Sequence, residues 1–188
     1  MKYFAITPDT CTSTTVIDHI GQLCRSNVTF LYLRSPLLYN DIVSLAQNVH
    51  AAGIVPIVPY RQADRLPDIP HGRHFTSVEH NNFVWKPLRA GIITTASSHT
   101  VENARDLLQR GIDYVFLSPV FQPLSKHDDT RPVLPRSQIR VLTELFGERV
   151  VLLGGITRQR ITQLRNELQH DFSVAGITMF FRSPDEPE

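Results

Sequence analysis

Cysteine is scarce in this chain. Cys11 and Cys24 are the only two, and they form no C-x-x-C pair. A disulfide framework is therefore excluded, and with no charged n-region and apolar h-region at the start, a reduced, cytoplasmic setting is expected. An excess of either charge is also lacking: 19 basic residues face 18 acidic ones, for a formal net charge of +1. No electrostatic footprint for nucleic acid or an anionic membrane is present, so any anionic ligand must be held locally. Long apolar runs are missing too. The longest are strand-sized, well short of the roughly 18 residues a membrane helix needs, which excludes a membrane-embedded chain. Neither a Rossmann glycine fingerprint, nor a Ser-His-Asp arrangement, nor metal-ligand spacing, nor an internal repeat stands out.

What is present is a rhythm. The chain has 188 residues, 41% of them hydrophobic, enough for one core, and residues 1–188 are expected to form a single domain. Short runs rich in β-branched and aromatic residues recur at Tyr3–Ile6, Thr29–Leu33, Ile54–Val58, Arg73–Phe75, Gly91–Thr95, Tyr114–Leu117, Val150–Leu153 and Phe172–Ile177. Between most of them lies helical spacing: Ile42, Leu45, Ala46 and Val49; Val101, Ala104, Leu107 and Leu108; Ile139, Leu142 and Phe146; Ile161, Leu164 and Leu168. Asn40, Thr100 and Thr157 suit helix N-caps, and Gly53, Gly111 and Gly147 suit left-handed helix ends.

Eight such units predict an α/β fold, a compact (β/α)8 barrel, with an open doubly wound sheet as the rival. Two prolines in RQADRLPDIPHG (61–72) leave room only for a short third helix. The closing FFRSPDEPE carries no amphipathic run, so the eighth helix is expected to be reduced or missing. Met179, Phe180 and Phe181 then either pack inward or cover a homodimer interface.

Chemistry gathers at predicted strand ends. Gly154–Gly155 follow the seventh strand and precede a helix, so backbone N–H groups can approach a phosphate at the helix's positive end. With Ile177–Thr178 after the eighth strand they occupy the usual phosphate position of such barrels. GIDYVFLSPVFQPLSK (111–126) runs from a buried strand into a loop stiffened by two prolines and ending in Lys126, a point charge for a phosphate or carboxylate. His99 ends the strand-like GIITTASS and is the best acid/base candidate. Arg34 ends FLYLRSP, where it can clamp an anion or form a rim salt bridge. His74 lies within the fourth strand and reads first as a satisfied core histidine.

These segments resemble the thiamine phosphate synthase and TenI superfamily. GIDYVFLSPVFQPLSK is similar to its GADYV-x-x-GP-x-F-x-T-x-[ST]K, SSHTVENARDLL to S-x-H-x-x-x-EA, LLGGIT to A-x-GGI, and VAGITMFF to GVAVISAI. Arg61 to His74 keeps the spacing between NDR and GVHL. The resemblance covers Thr29 to Phe181 and implies a (β/α)8 barrel that handles a phosphorylated thiazole. By position, Gly154, Gly155, Ile177 and Thr178 would bind its phosphate, Ser97, Ser125 and Lys126 would face a second substrate or the intermediate, and His99 would match the acid/base of TenI-type tautomerases.

Departures from the pattern separate two activities. Synthases carry Q-x-R-x-K on the second strand and Asn-Asp on the third, for the pyrimidine, the diphosphate and Mg2+. This chain has Tyr32-Leu33-Arg34-Ser35-Pro36 and Pro59-Tyr60. Only the arginine survives, and the second metal-binding aspartate falls near Glu79. The expected activity is a metal-independent, TenI-like thiazole tautomerase without a cofactor. The alternatives are a divergent synthase using Arg34, Arg61, Lys126 and Glu79 with Mg2+, and a non-catalytic phosphate binder. Tyr32 and Tyr60 stand where they would either block the pyrimidine pocket or stack on a group bound there.

Overall fold

The computed structural model describes residues 1–81, 91–122 and 131–181. Eight parallel strands close a barrel in chain order: β1 (Tyr3–Ile6), β2 (Phe30–Tyr32), β3 (Val55–Pro59), β4 (His71–Phe75), β5 (Ile92–Ser98), β6 (Tyr114–Leu117), β7 (Val150–Leu152) and β8 (Ser173–Gly176). Closure is by β8 on β1, with Phe4 opposite Ala175. The open doubly wound rival is thereby ruled out.

Strand alternation sorts the side chains into two layers. Phe4 and Ile6 of β1, Phe30 and Tyr32 of β2, Phe116 of β6 and Val151 of β7 share an inner cluster. Their neighbours Ala5, Leu31, Val115 and Leu117 pack against the helices. Both faces of each strand are covered, so the strands read as nearly continuous apolar runs. Inside, Phe4 stacks on Phe30 at 4.4 Å and meets Phe116 edge-on at 5.3 Å. This aromatic plug makes the barrel a packed core with one open end.

The helices are α1 (Ser13–Arg25), α2 (Ile42–Ala51), α3 (Ser77–Asn81), α4 (Val101–Gln109), α5 (Arg136–Phe146) and α6 (Arg158–Leu168). A 3-10 turn at Tyr60–Arg65 replaces the third helix, as the prolines require. Thr100 and Thr157 cap α4 and α6, accepting from the N–H groups of Asn103 and Arg160. The cap of α2 is one residue later than expected. Asp41 holds that position instead of Asn40 and makes no side-chain cap bond, because its carboxylate accepts from Ser13 Oγ at 2.5 Å. Gly53, Gly111 and Gly147 all have positive φ at helix ends.

Beyond β8 the chain turns, with the N–H groups of Phe180 and Phe181 donating to the Ile177 carbonyl. Phe180 is buried in the outer layer, and Met179 and Phe181 are half-buried beside it. Among the described residues no helix follows β8, and none is long and apolar enough to cross a membrane.

Candidate active site

The C-terminal ends of the strands open onto two adjoining cavities, of about 310 and 420 Å3. Arg34, Thr76, Ser97 and Leu153 line both, so they form one mouth with two lobes.

The first lobe is bounded by Gly154 and Gly155 on one side and by Gly176, Ile177 and Thr178 on the other. Gly154 and Gly155 have φ of +97° and +61°, which other residues rarely adopt. Space forbids a side chain as well. A Cβ on Gly155 would lie 2.4 Å from the Gln122 carbonyl oxygen, and one on Gly154 would lie 3.0 Å from Pro119 Cα. The glycine pair thus lets the β6 loop close onto the β7 loop. Val120 N–H donates to the Leu153 carbonyl at 2.9 Å and Phe121 N–H to the Gly154 carbonyl at 3.1 Å. A trans peptide points its N–H opposite its C=O. With these carbonyls turned to the β6 loop, the N–H groups of Gly154 and Gly155 turn the other way, towards the β8 loop. The space between can take an anion.

His99 lines the same lobe. Its Nδ1 lies 3.0 Å from the Ser118 carbonyl oxygen, to which an Nδ1–H donates. That bond selects the tautomer whose Nε2 carries a lone pair. Arg131 Nη1 lies 2.7 Å from Nδ1 and 2.8 Å from Nε2; as a donor only, it bonds the nitrogen that carries the lone pair, which in this tautomer is Nε2.

Arg34 forms the rim salt bridge that was one of its two expected roles, and it also lines both lobes. Its Nη2 pairs with Asp9 Oδ1 at 2.9 Å on the rim, while its Nε is buried without a hydrogen-bond partner among the described residues.

The second lobe holds Tyr32, Arg61, His74 and Glu79. His74 is a satisfied core histidine: 3% exposed, with Nδ1 at 2.8 Å from Thr95 Oγ1 and Nε2 at 2.9 Å from Ser97 Oγ. The Tyr32 ring lies against it at 4.4 Å, and burial pushes the Tyr32 phenol upward. Tyr60 leaves the mouth altogether. It stacks on Phe75 at 4.7 Å and packs into the outer layer, so it obstructs neither lobe.

Glu79 is engaged in a capping box for α3. Its Oε2 accepts from Thr76 N–H and Thr76 Oγ1–H, both at 2.9 Å, and Oε1 lies 3.3 Å from Arg61 Nε. Pro59 and Tyr60 offer no carboxylate beside it, and no group of three or more His, Cys, Asp or Glu suited to a metal occurs among the described residues. Among the described residues, the donor set around Glu79 does not fit Mg2+, which prefers about six oxygen ligands.

Ser125 and Lys126 lie outside the described residues, as does the tail from 182 to 188. The structure adds Thr76, Ser118, Pro119, Arg131 and Gly176 to the lobe around His99. Gly176 had a signal, a glycine closing an apolar strand. Arg131 had none, since only the return of the chain from the β6 loop brings it there.

A family model described as thiamine monophosphate synthase matches residues 80–179. The chain is 24% identical over 184 residues to the "Putative thiamine-phosphate synthase 2" of Aquifex aeolicus, covering 95% of this chain and 97% of that protein. Among solved structures, it is similar to thiamine phosphate pyrophosphorylase from Pyrococcus furiosus, with a TM-score of 0.72 and 19% identity over 98% of this chain and 89% of the other. It is also similar to 3-hexulose-6-phosphate synthase from Salmonella typhimurium, with a TM-score of 0.68 and 13% identity over 98% and 92% of the two chains. Likeness at these identities concerns the fold.

Proposed function

The chain belongs to the thiamine monophosphate synthase family, and from that membership we propose that its barrel binds a thiazole phosphate and moves a proton on it, as a TenI-like thiazole tautomerase. The observation that carries this reading is the sharing of one lobe by His99 and the Gly154–Gly155 and Ile177–Thr178 loops. The N–H groups of the glycine turn would hold the phosphate. Arg34, which lines both lobes, would neutralise the substrate carboxylate. His99, held through Nδ1–H by the Ser118 carbonyl, would take a proton from one ring position at Nε2, displacing the Arg131 donor from that lone pair, and return it at another, leaving an aromatic isomer of the same composition. Ser125 and Lys126, outside the described residues, would face the substrate as the family resemblance implies.

A second reading, synthase chemistry, is favoured by the names of the Aquifex and Pyrococcus proteins. It would place Arg34 and Arg61 on a diphosphate. It must also find Mg2+ ligands beyond Glu79, whose oxygens already cap α3.

Two assays on the purified protein separate the readings: tautomerisation of the thiazole carboxylate phosphate, and pyrophosphate release with and without Mg2+. We expect tautomerisation that persists in EDTA. It should fall about 10^2- to 10^4-fold in His99→Asn while thiazole phosphate still binds. Mg2+-dependent pyrophosphate release without tautomerisation would replace this reading by the synthase one.

A further inference from the structure

The glycine turn has a third carbonyl, and it is held from behind. Arg160 Nη1 donates to the Gly155 carbonyl at 2.6 Å, from the first turn of α6. By the same trans-peptide geometry, this aims the Ile156 N–H away from Arg160, and Ile156 lines the lobe beside Gly154 and Gly155. The N–H groups of Gly154, Gly155 and Ile156 make no hydrogen bond to another described residue.

Arg160 is itself fixed by the β6 loop. Its guanidinium carbon lies 4.7 Å from the centre of the Phe121 ring, and that of Arg136 lies 4.2 Å from the same ring. Arg136 completes the clasp by donating from Nη1 to the Val120 carbonyl at 2.7 Å and pairing with Glu167 on α6 at 3.1 Å. Two guanidinium groups so close together repel, and each is stabilised by the ring it contacts. The arrangement holds the carbonyl side of the turn against the β6 loop.

We propose that Arg160 and Phe121 are positioning residues for the phosphate: Arg160, seated on Phe121, orients the Gly155–Ile156 peptide and so couples anion binding to the placement of the β6 loop. This rests on the phosphate reading of the lobe. Arg160 does not line the cavity, so its action is through the peptide it holds rather than on the anion. Coupling is reciprocal. An anion that tightens the turn also tightens the loop that supplies Ser118 to His99.

The test is a titration of the full chain with inorganic phosphate, followed by amide NMR and calorimetry. Wild type, Arg160→Met, Arg160→Lys and Phe121→Leu are compared, each checked for a cooperative melt. In wild type, the Gly155, Ile156 and Phe121 amide signals should shift together with one dissociation constant. In Arg160→Met and Arg160→Lys that constant should rise about tenfold, the scale of a lost charge-assisted hydrogen bond, and the Phe121 signal should stop responding. Phe121→Leu, which keeps the arginine but removes its seat, should weaken binding in the same direction. Unchanged affinity in Arg160→Met with a responsive Phe121 signal overturns the proposal. Full recovery in Arg160→Lys also overturns it, because charge alone would then suffice. If wild type shows no saturable shift at Gly155 or Ile156, the phosphate reading itself falls.

Discussion

His74 shows what a buried polar group demands. At 3% exposure, its ring would be costly without partners, and Thr95 and Ser97 supply one hydroxyl each. Thr95→Val should therefore destabilise the fold by about 1–3 kcal/mol, measured by urea denaturation, through the buried hydrogen bond it removes from His74 Nδ1. Cys11 sets a pH limit on the alkaline side. Burial raises its thiol from 9.0 to about 11, and burial raises the Tyr32 phenol as well. A raised folded pKa contributes stability that is fully present below pH 9.0 and is lost as pH climbs through about 11, because the unfolded chain releases its proton first. Melting temperature should thus decline over that interval, and Cys11→Ala, though less stable overall, should show a shallower decline. The placement of single residues was readable in the sequence where a strand end fixed it, as with His99 and the paired glycines, which line one lobe. Tyr60 was not, because the residue after a strand can face either layer, and only the nearby Phe75 ring decides which.

At the scale of an element, α3 separates two accounts of Glu79. A capping box accepts Glu or Gln at its third position. Glu79→Gln should therefore stay within about 0.5 kcal/mol of wild type, whereas Glu79→Ala or Thr76→Ala should lose about 1 kcal/mol in thermal melts. A metal-binding role would make Glu79→Gln as harmful as Glu79→Ala and would make the melt sensitive to Mg2+. The pattern T-x-x-E at Thr76–Glu79 is a cap signal in the sequence, and it competes there with the metal-binding role that the family resemblance implies for the same carboxylate. The strands were the most legible elements, with β1 and β6 matching to the residue. Here a two-sided burden of apolar packing leaves an unmistakable composition. The helix α1 carried its own signals, the Thr12 cap and Val16, Ile20 and Leu23 at helical spacing, yet its run of four hydroxyl residues obscured the start.

For the whole molecule, alternation of strand and helix disclosed a parallel sheet, and closure followed from the number of units. Among the described residues no helix follows β8, and what packs in its place was not legible, since inward packing and a partner interface fit the sequence at Phe180 equally. In the structure it is 4% exposed, packed with Met179 and Phe181 against the layer that includes α1. Phe180→Ala should cost about 3–5 kcal/mol in denaturant unfolding, as a large cavity in a core does. The pairing of β1 with β8 has a further consequence, for the order in which the molecule is made. Tyr3 pairs with Val174, so the second of the two segments that seal the barrel emerges from the ribosome long after the first, with six other strands made between them. Until Ser173–Gly176 is delivered, β1 and β7 present raw hydrogen-bonding edges that invite misassembly. A nascent chain halted just short of that strand should be the aggregation-prone, chaperone-dependent form of this protein.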